Sequence, residues 1–106
     1  MWPCMSKADV FAALGDSIRL ELVDRLSAGQ SLAIVQLTDG LRVTRQAVTK
    51  HLRVLREAGL VSSRRVGREN RFQLRPGPLI SASDYLAKAS AQWDESIRRL
   101  REHVEK

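Results

Sequence analysis

The 106-residue sequence predicts a mainly α-helical fold with one small β-hairpin. Apolar residues recur three, four or seven positions apart over most of the chain, which is typical of helices that bury one face. This period is lost in residues 60–74, where short apolar segments surround the sequence GREN, as in a hairpin. The chain length predicts one small domain, residues 1–106. No apolar run reaches about 18 residues, so no membrane span is predicted.

Five helices are predicted from the apolar spacing and from residues that start and stop helices. They span residues 6–14, 17–28, 32–39, 45–58 and 79–104. Asp16 and Thr44 are suited to accept hydrogen bonds from the first turns of the second and fourth helices. Gly29 and Gly59 are placed to end the same two helices, and residues 76–78 are expected to break the chain before the last one.

The positive charge of the chain is concentrated in one third of its length. The chain has 18 basic and 12 acidic residues, a formal net charge of +6. Residues 42–75 contain ten basic and two acidic residues and carry +8, whereas the rest of the chain carries −2. A surface that serves only solubility mixes the two signs. This segregation predicts a polyanionic partner, and double-stranded DNA is the first candidate.

The fourth predicted helix, within TRQAVTKHLRVLREA, has one apolar and one polar face. At about 100° per residue, Val48, Leu52 and Leu55 fall in one narrow sector. The opposite sector carries Gln46, Thr49, Lys50, Arg53 and Glu57. A short helix, a turn and a helix of this kind form a helix-turn-helix, here residues 32–58, whose second helix can enter the DNA major groove.

The hairpin that follows, residues 60–75, is predicted to be the wing of a winged helix-turn-helix fold. Its turn is assigned to residues 67–70. The hairpin carries four arginines: Arg64, Arg65, Arg68 and Arg71. Basic side chains at such a position can bind phosphates or reach into the adjacent minor groove.

The predicted DNA contacts lie at the start of the fourth helix and on the wing. Arginine can bind guanine O6 and N7, and glutamine can bind adenine N6 and N7. The candidates are Thr44, Arg45, Gln46, Thr49, Lys50, Arg53, Arg64, Arg65, Arg68, Asn70 and Arg71. His51 borders the apolar stripe, and we expect a partly buried imidazole bonded to neighbouring backbone, with a DNA contact as the alternative.

The last predicted helix, residues 79–104, has an apolar stripe that one small domain cannot cover. The stripe consists of Leu79, Leu86, Ala89, Trp93, Ile97, Leu100 and Val104. A helix of this kind gains most of its stability from packing against a partner. A second copy of the same helix is the predicted cover, and a ligand pocket lined by the stripe is the alternative.

Residues 11–104 resemble the ArsR-type winged helix-turn-helix repressors. The resemblance rests on FAALGDSIRLELVDRL, AVTKHLRVLREAGLV and the basic hairpin SSRRVGRENRFQL. The terminal segment SASDYLAKASAQWDESIRRL, with its tryptophan, resembles the branch of the family that lacks metal sites. The resemblance implies a homodimer built from the first and last helices, and an operator with two-fold symmetry and half-sites about one helical turn apart. The interface residues are then Val10, Phe11, Leu14, Leu86, Ala89, Trp93, Ile97 and Leu100.

The sequence predicts no metal or cofactor site. Many members of the family that it resembles bind metals through cysteines before the turn, but SLAIVQLTDGL contains none. The last helix offers Asp84, Asp94, Glu102 and His103, whereas transition-metal sites usually need several converging donors. Cys4, the single cysteine, excludes an internal disulfide and fits a reducing cytoplasm. We interpret it as a spectator thiol, with a redox switch as the alternative.

Together these features predict a non-catalytic, cytoplasmic transcriptional regulator that represses by occluding a promoter. The sequence shows no Gly-rich phosphate loop, no metal dyad and no nucleophile beside an obvious base. The alternative is a winged-helix interaction module whose basic face binds an acidic protein. RNA binding is a third option, but Phe72 is the only aromatic residue of the basic segment that could stack on a base. A small-molecule effector is compatible with the resemblance but is not indicated by the sequence.

Overall fold

The computed structural model describes residues 7–104, which form five α-helices and a three-stranded antiparallel sheet. In chain order the elements are α1 (Lys7–Leu14), α2 (Ser17–Leu26), β1 (Leu32–Ala33), α3 (Ile34–Thr38), α4 (Arg45–Glu57), β2 (Val61–Val66), β3 (Glu69–Leu74) and α5 (Pro76–Val104). The predicted mainly helical fold with a hairpin after the fourth helix is confirmed. Cys4 and the predicted helix start at Ser6 lie outside the described residues.

The second helix begins at the predicted cap. The Asp16 carboxylate accepts hydrogen bonds from the backbone N–H groups of Ile18 at 2.9 Å and Arg19 at 3.1 Å. The bond from the Arg19 N–H holds the pKa of Asp16 below its usual range, because it favours the ionised carboxylate. The helix ends at Leu26, two residues before the predicted end, where the Ser27 hydroxyl donates to the backbone carbonyl of Val23.

The predicted third helix, residues 32–39, is wrong at both ends. Leu32 and Ala33 form a short strand, in which Leu32 pairs with Phe72 of β3, and α3 covers only Ile34–Thr38. The extended backbone of Ala33 is stabilised by its N–H, which donates to the Gln36 side chain at 2.9 Å. A two-residue strand is too short to show an alternating pattern, so its apolar residues were assigned to the neighbouring helix.

The last helix starts earlier than predicted. Residues 76–78 do not break the chain, because Pro76 is the first residue of α5 and Pro78 lies in its first turn. The N–H groups of a first turn have no acceptor within the helix, so proline loses no helical hydrogen bond there. The helix consequently has 29 residues, a length of about 44 Å.

The segment AGLV ends α4 and starts the wing, as predicted. The Gly59 N–H donates to the Arg56 carbonyl and the Leu60 N–H to the Leu55 carbonyl, both at 2.9 Å. Gly59 has a φ of +77°, which a residue without a β-carbon adopts easily. This pattern is a Schellman motif, and it turns the chain from the end of α4 directly into β2.

The core lies where α2, α3, α4 and the base of the wing meet. Its fully buried side chains are Leu22, Leu26, Leu37, Val48, Leu52, Leu55, Leu60 and Val61. Val10 and Ala13 from α1, Phe72 from β3 and Ala82 from α5 extend the same cluster. All three apolar residues of the α4 stripe are therefore inside, which directs the rest of that helix towards solvent.

Two leucines of α2 provide a test of this packing. Leu22 is fully buried, whereas Leu20 on the same helix is 47% exposed. We expect Leu22→Ala to lower the free energy of unfolding by about 2–5 kcal/mol, because it leaves a cavity in the core. The matched change Leu20→Ala should cost less than about 1 kcal/mol. Urea unfolding at one fixed protein concentration measures both values, and equal losses would contradict this account of the core.

Candidate nucleic-acid interface

The outer side of α4 presents a row of polar and basic side chains. Arg45, Gln46, Lys50 and Arg53 are exposed, and we call these four side chains the reading face. Within residues 7–104, Arg45, Lys50 and Arg53 form no side-chain hydrogen bond or ion pair. Their charges are consequently available to a molecule outside the chain.

Two of the predicted contact residues on α4 also stabilise the helix itself. The Thr44 hydroxyl accepts a hydrogen bond from the Ala47 N–H at 3.1 Å and so caps the first turn. The half-buried Thr49 donates its hydroxyl proton to the Arg45 carbonyl at 2.8 Å. Each hydroxyl oxygen retains an acceptor site, but neither is as free as the side chains of the reading face.

A groove of about 610 Å³ separates the reading face from α3. Its lining comprises Ile34, Val35, Arg45, Gln46, Thr49, Lys50 and Arg53. The wall on α3 is apolar, and Val35 in it is 56% exposed. Neither Ile34 nor Val35 is among the contacts predicted from the sequence, and the expectation that Val35 belongs to the core is wrong, because its side chain is exposed.

The wing is a hairpin with a two-residue turn. Val66 pairs with Glu69, so the turn consists of Gly67 and Arg68 alone, and the predicted four-residue turn is wrong. Gly67 has a φ of +62°, and only glycines have a positive φ in the described chain, so the φ of Arg68 is not positive. A two-residue turn with a positive φ at its first residue alone is typical of type II′, which favours glycine there. This tight turn places Arg68 at the tip of the wing.

The strand register sorts the wing side chains onto two faces. Partners across an antiparallel pair share a face, and neighbours along a strand alternate. Asn70 and its partner Arg65 share the face of the buried Phe72, which is the side on which α4 packs. Arg64 and its partner Arg71 lie on the opposite face.

Arg71 differs from the other wing arginines because its guanidinium is already bonded within the chain. It donates to the Ser31 carbonyl at 2.9 Å, to the Ser31 hydroxyl at 3.2 Å and to the Glu69 carboxylate at 3.4 Å. Arg71 is among the DNA contacts predicted from the sequence. These bonds instead give it the task of holding β3 to the segment before β1.

Other basic side chains within the fold have similar tasks. Arg25 on α2 donates to the carbonyls of Gln36, Leu37 and Asp39 at the end of α3. Arg56 on α4 donates to the Ser63 hydroxyl of β2 at 3.2 Å. Neither contact is predicted by the sequence, and for Arg56 no sequence signal indicates the partner.

His51 is partly buried, as the sequence predicted, and it lies on the side of α4 that faces α1 and α2. Its ring nitrogen Nδ1 lies 3.2 Å from a guanidinium nitrogen of Arg19 and 3.8 Å from the Asp16 carboxylate. The expected bonds to neighbouring backbone are replaced by these side-chain contacts. The backbone carbonyls at the end of α1 bind Arg19 instead.

The first part of α5 packs on α1, and the remainder extends beyond the domain. The rings of Phe11 and Tyr85 are 6.0 Å apart, and the Lys7 ammonium lies 5.2 Å from the Tyr85 ring centre. We call residues 86–104 of α5 the overhang. In the overhang, Trp93 is 67% and Leu100 63% exposed, although both are apolar.

The predicted interface residues divide into exposed and buried ones. Leu86, Trp93, Ile97 and Leu100 are exposed, and Phe11, Leu14 and Ala89 are half-buried. Val10 is only 5% exposed because it packs into the core of its own protomer. It therefore has little surface left for a partner, and its assignment to a subunit interface is not supported.

The polar side of the overhang is a solvated surface. The Glu95 carboxylate accepts a hydrogen bond from the Arg98 guanidinium. This bond lowers the pKa of Glu95 and raises that of Arg98, because it favours both charged forms.

Within residues 7–104, no group of three or more His, Cys, Asp and Glu residues is arranged to hold a metal ion. None of the described helices is long and apolar enough to cross a membrane.

Comparisons with known proteins point to one family. A helix-turn-helix domain model matches residues 14–64. The HTH-type transcriptional regulator YuzN of Bacillus subtilis is 45% identical over 69 residues, which cover 59% of this chain and 75% of YuzN. A transcriptional repressor SmtB homolog of Synechocystis is 42% identical over 67 residues, which cover 63% of this chain but only 50% of that protein.

The fold comparison extends over more of the chain. The structure of an ArsR-like transcriptional regulator from Rhodococcus sp. RHA1 has a TM-score of 0.74 and 36% identity. The match covers 91% of this chain and 90% of the Rhodococcus protein. It therefore includes the helix-turn-helix, the wing and much of α5. The chain belongs to the ArsR family of winged helix-turn-helix transcriptional regulators.

Proposed function

We propose that this DNA-binding regulator is a homodimeric repressor that binds a palindromic operator and thereby blocks a promoter. The observation that carries the proposal is the division of α4. Its apolar stripe is fully buried, so the reading face must point outwards, and three cations of that face have no partner in the described chain. A basic, unpartnered helix face next to a basic wing is the surface that DNA recognition requires.

The dimensions of α4 suit the major groove. An α-helix with its side chains is about 10–12 Å across, and the major groove is about 12 Å wide. Arg45 and Gln46 lie in the first turn of α4, the part of a recognition helix that contacts base edges. We assign base readout to Arg45, Gln46, Thr49 and Lys50, and phosphate contact to Arg53.

The wing supplies contacts to the DNA backbone that do not depend on the DNA sequence. Arg68 at the turn, with Arg64 and Arg65 on the two faces of the hairpin, can bind phosphates on either side of the minor groove. Asn70 shares the face of Arg65 and can donate to the same backbone. We remove Arg71 from the contact set because its donors are already bonded to Ser31 and Glu69.

The overhang supports a homodimer. Trp93, Ile97 and Leu100 are each at least 46% exposed, which is costly for large apolar side chains on a helix that leaves its own domain. A second copy brings an identical stripe, and a two-fold axis lets one surface bind itself. Two copies of α4 related by this axis fit an operator with two-fold symmetry.

Repression is the simplest consequence of such binding. A dimer that spans two half-sites covers a stretch of promoter and excludes other proteins from it. The relative from Synechocystis is named as a repressor, which agrees with this direction of regulation. The proposed mechanism involves no catalytic step and no cofactor, and we propose a cytoplasmic location for the protein.

The first prediction concerns base readout. Lys50→Ala and Arg45→Ala should each weaken binding to the best duplex selected from a random library by about 1–3 kcal/mol, with a smaller loss on a scrambled duplex. Arg99→Ala, an exposed arginine of α5, is the matched control and should change little. Fluorescence anisotropy measures all three. Wild-type affinity in both α4 variants would remove α4 from the interface and favour an acidic protein as the partner of the basic face.

The second prediction concerns the wing. Arg68→Ala should weaken binding to all duplexes alike, because a phosphate contact carries no sequence information. The slope of log affinity against log salt should become shallower by about one unit. Arg68→Lys keeps the charge and should keep most of the slope. A loss confined to the selected duplex would instead assign base readout to Arg68.

The third prediction concerns the overhang. Trp93→Ala should dissociate the dimer, because it truncates the largest side chain of the stripe, a change that costs about 3–5 kcal/mol where the side chain is buried. The protomer should remain folded, since Trp93 is 67% exposed within it. Lys88→Ala, on the other side of α5, is the control. Analytical ultracentrifugation gives the mass and circular dichroism the helix content, and an intact Trp93→Ala dimer would contradict the assignment.

A further inference from the structure

Arg19 belongs to α2, but its side chain is bonded to two other helices. The Nε group donates to the Ala13 carbonyl at 2.6 Å and one terminal nitrogen donates to the Ala12 carbonyl at 3.4 Å, both at the end of α1. The other terminal nitrogen lies 3.2 Å from Nδ1 of His51 on α4. Through Arg19, these contacts connect the end of α1 to α4.

The first turn of α2 is an electrostatically unfavourable position for Arg19, and its bonds to α1 and α4 give a reason for its presence there. A cation in the first turn of a helix opposes the positive end of the helix dipole. The end of α1, by contrast, has carbonyls without helical partners and no basic residue in its own last turn. Arg19 supplies the missing positive charge to α1, and the Asp16 carboxylate lies close to both Arg19 and His51.

The imidazole of His51 is the acceptor in its contact with Arg19. A guanidinium can only donate a hydrogen bond, so Nδ1 of His51 accepts it. The His51 side chain lies against Arg19 and the Asp16 carboxylate, and it is consequently only 24% exposed. The contact thus runs from the end of α1, through Arg19, to the middle of the recognition helix.

We propose that Arg19 and His51 are positioning residues that set the distance and angle between the two recognition helices of the dimer, and hence the half-site spacing that the protein accepts. This inference rests on the proposed function, in which the overhang of α5 forms the subunit contact and α4 reads the operator. Helix α1 packs on the start of α5, where the rings of Phe11 and Tyr85 are 6.0 Å apart, so it connects the subunit contact to Arg19. In a two-fold dimer, any tilt of α4 relative to α1 is repeated in the partner subunit. Each base pair added between the half-sites rotates one of them by about 35° relative to the other. The half-site spacing that both copies of α4 can bind therefore depends on that tilt.

The experiment uses the half-site selected from a random library by the wild-type protein. Duplexes carry two inverted copies of it with spacers that are one or two base pairs shorter or longer than the best one. Fluorescence anisotropy gives the affinity for each spacer, and the ratio between the best and neighbouring spacers is the readout. A defect that only destabilises the protein lowers all these affinities together and leaves the ratio unchanged.

Four variants separate the contact from general damage. His51→Leu removes the acceptor, and Arg19→Lys keeps the charge but cannot reach both helices; each should reduce the spacer ratio by about tenfold. His51→Asn places an amide oxygen near the position of Nδ1 and should keep most of the ratio. The double variant R19K/H51L should lose no more than either single variant, because both changes break the same contact. Circular dichroism and ultracentrifugation confirm that each variant is a folded dimer.

The outcomes distinguish this inference from the function on which it rests. A wild-type protein that gains nothing from a second half-site overturns both the dimeric operator model and the positioning role. A wild-type spacer ratio in both His51→Leu and Arg19→Lys overturns the positioning role alone. An equal loss at every spacer would also overturn it and leave Arg19 and His51 with a purely structural role.

Discussion

Three buried side chains of α4 fix the orientation of that helix and, with it, the positions of the reading face and the wing. Val48, Leu52 and Leu55 are almost completely removed from solvent, and together they account for several kcal/mol of apolar burial. A helix that buries this stripe has one orientation about its axis, so the side chains a half-turn away must face outwards. The same burial places the end of α4 next to β2, so the wing begins where the recognition helix ends.

The basic residues of the chain fall into two groups that composition cannot separate. Arg19, Arg25 and Arg71 have guanidiniums bonded to backbone carbonyls outside their own elements, and they hold α1, α3 and β3 in place. The arginines and lysine of the reading face and of the wing tip are exposed and have no partner in the described chain. A planar guanidinium with five donors suits both tasks, which explains why so many arginines occur in so small a protein.

Much of the fold was predictable because long amphipathic segments and glycine caps leave a clear pattern. The stripe of α4, the cap at Asp16 and the turn after Gly59 were all found from sequence. The strand at residues 32–33 was not, since its pairing with β3 is a contact between residues 40 positions apart. The role of Arg71 was also missed, because its charge suggested DNA while its bonds to Ser31 depend on tertiary structure.

In the proposed mechanism, the outer face of α4 and the wing recognise a specific DNA sequence. The most direct test is a wild-type titration, by fluorescence anisotropy at two salt concentrations, of the best duplex selected from a random library and of its scrambled counterpart. We expect binding to the selected duplex to be at least about a thousandfold tighter than to the scrambled one, with affinity for both duplexes falling as salt rises. Equal affinity for the two duplexes, or no binding at low salt, would contradict it.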